Sequence, residues 1–140
     1  MKRSGSAVWS GDLKTGKGSV SAQSGILDKA QYGFNTRFED GPGTNPEELI
    51  GAAHAGCFSM ALSNILGDYD LVPDEIATKA TVTLDQVDGG FAITKVHLDV
   101  TAKIPGATAE TFAEAAGKAK AGCPVSKLLN AEITMDAKLA

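Results

Sequence analysis

The sequence predicts an α+β fold in which two antiparallel sheets surround a central apolar helix. Short strand-like runs separated by Gly, Lys and Asp turns fill the first part of the chain. A long apolar helix follows, and after it two alternating runs are joined by Asp-Gly-Gly, a hairpin signal. Blocks of strands thus alternate with blocks of helices, which is typical of an α+β fold and not of a doubly wound α/β fold.

The first half of the chain predicts three strands and one long helix. The strands cover residues 7–9, 18–23 and 31–38, and the third of them reads QYGFNTRF. After a Gly-Pro-Gly loop, Asn45 can cap a helix that has Pro46 at its first position and two acidic residues in its first turn. This helix runs to about Leu66, ends at Gly67 and is apolar almost all round, which predicts burial on most sides.

The second half predicts a hairpin, two helices and a last strand. The hairpin pairs residues 75–87 with residues 91–104, where apolar and polar side chains alternate. A helix over 108–121 has Thr108 as its cap, Gly-Cys-Pro interrupts it, and a short helix continues to Asn130. Residues 132–139 close the chain as a strand.

Length and composition indicate one globular domain over residues 1–140. The chain is 43% hydrophobic and 21% charged, and its net charge of −4 argues against a nucleic-acid surface. The longest uninterrupted apolar run, residues 50–53, is too short to span a bilayer, and no apolar segment follows Lys2-Arg3 as in a signal peptide. We therefore expect a cytoplasmic protein with no membrane partner, whose two cysteines are free thiols, metal ligands or redox groups.

The two cysteines have different local settings. Cys57 lies in the apolar helix between Gly56 and Phe58, where a cysteine is most often a small packing residue. Cys123 precedes Pro124 and so stands at a helix start, where unpaired N–H groups lower the pKa of a thiol. A turn residue without chemistry is the alternative for Cys123.

Arg37 and Glu47 are the charged residues that bear on these thiols. They can be a surface arginine and a helix-dipole carboxylate, or Arg37 can hold a cysteine as thiolate while Glu47 orients it. Glu47 and Cys57 are separated by about 15 Å along one straight helix, so they cannot touch there. Either the helix start is irregular or Glu47 reaches the Cys57 of a second chain, and the apolar helix favours the second, dimeric arrangement.

Histidines allow a further alternative. His54, Cys57, Cys123 and His97 can be written as a four-ligand metal set, but they lie mostly in separate elements, unlike the close ligand pairs of structural zinc sites. We expect no metal and interpret His54 as a hydrogen-bonded structural histidine. A non-enzymatic dimer that binds an apolar ligand is the other open alternative.

Two long motifs make the chain resemble the OsmC branch of the OsmC/Ohr family of hydroperoxide reductases. They are YGFNTRFEDGPGTNPEELIGAAHAGCFSMALS and KAKAGCPVSKLLNAEI, and VDGGFAITK lies between them. The resemblance covers nearly the whole chain. The Ohr branch has Tyr at the position of Val125 and places its arginine in another segment, so Arg37 matches the OsmC branch alone.

The resemblance implies an intertwined α+β homodimer with two active sites at its interface. Cys57 would be the peroxidatic thiolate, Cys123 the resolving cysteine, Arg37 the activating arginine and Glu47 its paired carboxylate. It also implies a peroxidase of oxidative or osmotic stress defence that reduces organic hydroperoxides to alcohols, and hydrogen peroxide less efficiently. The electrons would come from an external dithiol, such as a lipoylated protein, and no cofactor is expected.

Overall fold

The computed structural model describes residues 1–140, which form six strands and four helices. In chain order the elements are β1 Gly5–Ser10, β2 Lys17–Ala22, β3 Ala30–Tyr32, α1 Phe34–Phe38, α2 Pro46–Gly67, β4 Glu75–Val87, β5 Gly90–Lys103, α3 Ala109–Gly122, α4 Pro124–Leu128 and β6 Glu132–Leu139. The chain divides into two compact units, Met1–Leu49 and Ile50–Ala140. Each unit contains one three-stranded sheet. The predicted α+β class is confirmed, whereas the single domain stays a prediction.

The first unit is an antiparallel meander of β1, β2 and β3 followed by α1. The strand predicted over residues 31–38 is wrong in its second half, because residues 34–38 form α1. Gly33 is extended at the helix start, and its N–H donates to the Thr36 hydroxyl, which donates back to the Gly33 carbonyl. Phe34 and Phe38 then stack one turn apart, with ring centroids 4.8 Å apart. Aromatic residues that favour strands are thus held in a helix by local capping.

The start of α2 follows the sequence signal. The Asn45 side chain accepts a hydrogen bond from the backbone N–H of Glu48 at 2.8 Å and donates to the Thr36 carbonyl at 3.0 Å. Pro46 occupies the first helical position, where its missing N–H costs nothing. The predicted cap and helix are therefore confirmed.

Helix α2 is buried along one face and exposed along the other. Its buried residues recur at intervals of three or four: Gly51, His54, Phe58, Leu62 and Leu66. Ala52, Gly56 and Met60 are exposed, and Met60 keeps 77% of its surface accessible. From residue 52 to residue 60 the exposed side consists of Ala, Gly and Met, and the single chain leaves this apolar surface uncovered.

By length and composition alone, α2 could cross a membrane, with a mean hydropathy of 1.4. The expectation that no segment was long enough is wrong, because it counted only uninterrupted apolar residues and so stopped before His54. A mean hydropathy along the helix tolerates such single polar residues. Core helices of folded proteins meet the same criterion, and one face of α2 packs in the core of the second unit.

The second sheet is mixed, which corrects the prediction of two antiparallel sheets. β4 and β5 form the predicted antiparallel hairpin, with a register shift between Thr83 and Leu84. β6 pairs with β5 in parallel, from Lys95 opposite Glu132 to Ala102 opposite Leu139. Helices α3 and α4 lie between β5 and β6 in the chain, and a connection of that length permits parallel pairing.

The core of the second unit lies between this sheet and helices α2 and α3. Alternate residues of β5 face it, and the fully or almost fully buried ones are Val96, Leu98, Val100 and Ala102. Phe58 and Leu62 contribute from α2, and Phe112 from α3. Cys123 belongs to the same buried cluster. Both thiol-bearing segments are therefore supported by one core.

Replacing Leu98 by Ala should destabilise the protein by about 2–5 kcal/mol, because Leu98 is fully buried and its truncation leaves a cavity. The matched control is Val87→Ala, at a position with 42% exposure, which should change the free energy of unfolding by about 0.5 kcal/mol or less. Urea unfolding followed by circular dichroism measures both. Equal changes in the free energy of unfolding for the two substitutions would contradict the assignment of Leu98 to the core.

Candidate active site

The structure brings the two cysteines together. The Sγ atoms of Cys57 on α2 and Cys123 are 2.9 Å apart, and both thiols are free. Cys57 is partly accessible, whereas Cys123 is fully buried. Of the two contacting cysteines, only Cys57 is therefore a partly accessible residue.

Cys123 sits where α3 ends and α4 begins. Its N–H donates to the Ala119 carbonyl at 2.9 Å, and its own carbonyl accepts from the Lys127 N–H at 3.1 Å. Pro124 is the first residue of α4, so the predicted interruption and helix start are confirmed. The backbone around Cys123 is thus fixed by hydrogen bonds from both helices.

The surroundings of Cys57 favour its neutral form. Burial raises the pKa of the Cys57 thiol above its ordinary value, and a backbone hydrogen bond from Val125 opposes this in part. Neither Cys123 nor Val125 carries a positive charge. These contacts therefore disfavour the Cys57 thiolate, which a nearby cation would stabilise.

His54 lies one helical turn before Cys57 and is fully buried. Its Nε2 is 2.7 Å from the hydroxyl of Ser126, while its Nδ1 is buried without a partner. The predicted hydrogen bond is present. Burial lowers the pKa of His54, so the imidazole is neutral at pH 7.

Sequence reasoning did not single out Ser126. The spacing of polar residues around the two cysteines was the available signal for Ser126. His54 lies three residues before Cys57, and Ser126 lies three residues after Cys123. The resemblance implied that the two cysteines meet, but nothing in the sequence said that the side chains three residues away would also be in contact.

Arg37 and Glu47 form a close ion pair in the first unit. Arg37 lies on α1, and its Nε and Nη2 atoms donate to the same Oε1 atom of Glu47 at 3.0 and 2.8 Å. The Glu47 side chain is only 12% exposed, and its Oε2 atom is buried without a hydrogen-bond partner. The charge of Arg37 is thus held in a fixed place, as the sequence predicted for an oriented arginine.

A cavity of about 310 Å³ adjoins this ion pair within the first unit. Arg37 forms part of its wall, and the other large side chains are aromatic or apolar: Trp9, Leu13, Tyr32, Phe34 and Phe38. Trp9 and Tyr32 are in ring contact at 5.5 Å. The cavity therefore offers an apolar surface next to one guanidinium group.

His97 does not join the cysteines. It lies between buried Val96 and Leu98 on β5 and so points to the opposite face of the sheet. There its Nε2 is 3.4 Å from Asp99 and 3.2 Å from Asp136, and its Nδ1 contacts the Thr134 hydroxyl. The four-ligand set considered from the sequence is not assembled.

Comparison with known proteins identifies the family. A family model described as OsmC-like protein matches residues 39–138. The chain belongs to the OsmC-like family. It is 59% identical over 139 residues to Peroxiredoxin OsmC of Escherichia coli, an alignment that covers 99% of this chain and 97% of the relative.

OsmC-like relatives extend to the Ohr proteins. The chain is 28% identical to the organic hydroperoxide resistance protein OhrB of Bacillus subtilis, over 87% of this chain and 88% of the relative. The crystal structure of OhrB matches with a TM-score of 0.71 and 22% identity, covering 96% of this chain and 98% of that one. An OsmC-like protein of unknown function from Vibrio cholerae matches with a TM-score of 0.78 and 15% identity, covering 98% and 99%. The predicted family, α+β fold class and peroxidase class are confirmed, whereas the homodimer stays a prediction.

The buried His54 should make the stability of this OsmC-like chain depend on pH. Because burial lowers the pKa of His54 from its ordinary 6.5, the unfolded chain binds the proton more readily. The contribution of neutral His54 to the free energy of unfolding should be complete above pH 6.5 and should be lost progressively as the pH drops below 6.5. His54→Gln should lose this part of the pH dependence and His97→Gln should keep it, in urea titrations from about pH 5 to 8. An unchanged slope in His54→Gln would contradict the assignment.

Proposed function

We propose that this OsmC-like peroxidase reduces organic hydroperoxides to alcohols, with Cys57 as the attacking thiolate and Cys123 as the resolving thiol. The observation that carries the proposal is the 2.9 Å separation of the Sγ atoms of a partly accessible and a buried cysteine. A peroxide can reach Cys57 first, and Cys123 is already placed to react with the product. These roles match those that the sequence motifs imply.

The chemistry proceeds in three balanced steps. The Cys57 thiolate attacks the OH-bearing oxygen of the hydroperoxide, the O–O bond breaks, and Cys57 becomes a sulfenic acid. The departing alkoxide takes a proton from solvent and leaves as the alcohol. The Cys123 thiol then forms an S–S bond with Cys57, and the sulfenic oxygen leaves as water. An external dithiol reduces this disulfide in two exchanges and is itself oxidised to a disulfide, which returns both cysteines to thiols.

In this proposal Arg37 is the cation that stabilises the Cys57 thiolate, and Glu47 holds Arg37 in place. Arginine is always charged, and its planar group can face Glu47 and a thiolate at once. Glu47 fixes the guanidinium through two hydrogen bonds to a single oxygen. Because α2 is continuous from Pro46 to Gly67, Glu47 cannot reach the Cys57 of its own helix. We place the Arg37–Glu47 pair at the Cys57 of a partner protomer.

The exposed apolar face of α2 supports a homodimer. Ala52, Gly56 and Met60 are open in the single chain, and such a surface is normally covered in a folded protein. A two-fold arrangement of this face would give each dimer two equivalent sites, each with thiols from one protomer and Arg37 from the other.

The substrate is proposed to be apolar. The aromatic wall beside Arg37 can pack against an alkyl or aryl group, which hydrogen peroxide lacks. Two relatives named for organic hydroperoxide resistance agree with this preference. A lipoylated protein as reductant and a cytoplasmic location remain predictions, as does a role in oxidative or osmotic stress.

Cys57→Ser should reduce consumption of tert-butyl hydroperoxide, driven by a dithiol, to the uncatalysed rate, because the attacking atom is lost. Cys123→Ser should instead accumulate the Cys57 sulfenic acid, which dimedone traps and mass spectrometry detects. Full turnover by Cys57→Ser would end the proposal. If Cys57 gains no oxygen from peroxide in Cys123→Ser, the result would favour a non-enzymatic binder of an apolar ligand.

Mixing two inactive variants tests whether the active site is shared between protomers. Cys57→Ser and Arg37→Gln should each be nearly inactive as homodimers. Heterodimers formed by refolding them together contain one site with both Cys57 and Arg37, so activity should return to about a quarter of wild type. The control mixes Cys57→Ser with Arg3→Gln, whose own activity should match that of wild type. No recovery in the first mixture would show that Arg37 serves the Cys57 of its own chain.

A further inference from the structure

Helix α2 meets the segment around α4 through two contacts that repeat at the same spacing. The first joins the sulfurs of Cys57 and Cys123 at 2.9 Å, and the second joins His54 Nε2 to Ser126 Oγ at 2.7 Å. In each segment the two contacting residues are three positions apart, which is close to one helical turn. The polar contact therefore lies three residues from the sulfur contact along both segments.

Helix α4 depends on such contacts for its position. It has only five residues, and no side chain caps its N-terminus. A helix of one turn is not stable by itself in water, so tertiary contacts must hold it. Val125 and Leu129 pack against the core, but apolar contacts do not fix orientation as a buried hydrogen bond does.

We infer that His54 and Ser126 are positioning residues that hold the Cys123 sulfur against Cys57 and so speed closure of the disulfide. The inference rests on the proposed function. The bond affects the second step, in which the Cys57 sulfenic acid and the Cys123 thiol give a disulfide and water. Attack of Cys57 on peroxide does not require it.

The chemistry of the contact suits this role. Both residues are buried, with exposures of 0% for His54 and 8% for Ser126, so water does not compete for the hydrogen bond. The imidazole is neutral and has one N–H and one lone pair. Since buried N–H groups rarely lack a partner, the N–H lies on Nε2 and donates to Ser126, which leaves Nδ1 as the unpaired acceptor.

The test compares Ser126→Ala with the matched control Ser59→Ala. Ser59 is also on α2, and its hydroxyl is 2.8 Å from Thr78 on β4, so the control removes a hydroxyl contact that does not involve α4. In dithiothreitol redox buffers without peroxide, Ser126→Ala should lower the equilibrium constant for forming the Cys57–Cys123 disulfide about tenfold. This corresponds to a reduction potential that is higher by about 30 mV. After one equivalent of tert-butyl hydroperoxide, quenched alkylation should show unchanged Cys57 oxidation and a similar slowing of disulfide closure. Ser59→Ala should match wild type in both assays.

A conservative variant separates positioning from general destabilisation. His54→Gln retains an N–H donor of similar reach and should keep most of the wild-type equilibrium constant and closure rate. Equal values for wild type and Ser126→Ala, or equal losses in Ser126→Ala and Ser59→Ala, would overturn the inference. A loss in His54→Gln as large as in Ser126→Ala would count against it too. If wild-type Cys57 does not react with peroxide, the proposed function fails, while the redox-buffer comparison still decides the positioning role.

Discussion

The approach of two sulfur atoms to 2.9 Å depends on how two helical segments are packed against one sheet. Cys57 is carried by the long helix α2, and Cys123 stands at the junction of α3 and α4. Both segments contribute to a core that includes Leu98 and Phe112. The crossover through α3 and α4 places β6 in parallel beside β5 and brings Cys123 back over α2. The mixed sheet is thus part of what brings the two thiols together.

The packing that joins the sulfurs also creates an electrostatic problem. Burial raises the pKa of Cys57, so the same core that holds the pair disfavours the reactive thiolate. The protein has two arginines, and Arg37 is the one fixed by an acidic partner. The proposed dimer resolves the conflict, since a second protomer could bring this cation to Cys57 while covering the apolar face of α2. The same proposed dimer contact would then cover the apolar face of α2 and bring Arg37 to Cys57.

Capping signals and alternation in the sequence predicted most elements. Asn45 and Thr108 mark the starts of α2 and α3, and the β4–β5 hairpin follows from its alternating residues. Residues 34–38 were misassigned because Phe and Thr favour strands, while the Gly33–Thr36 hydrogen bonds that decide for a helix act over three residues. The parallel pairing of β6 was missed because strand direction depends on contacts distant in sequence. Within the candidate site, the residues of both the thiol pair and the ion pair were recognised from local motifs. Ser126 was not, because no motif marks it and the fold alone brings it to His54, 72 residues away.

The most direct test of the central claim is to map the disulfide formed by peroxide. Wild-type protein treated with one equivalent of tert-butyl hydroperoxide is alkylated, digested without reductant and analysed by mass spectrometry. The account predicts a single intrachain link between the peptides containing Cys57 and Cys123, with the loss of two hydrogen atoms and no retained oxygen. A stable oxygen adduct on Cys57 with Cys123 still free, or a Cys57–Cys57 link between chains, would contradict it.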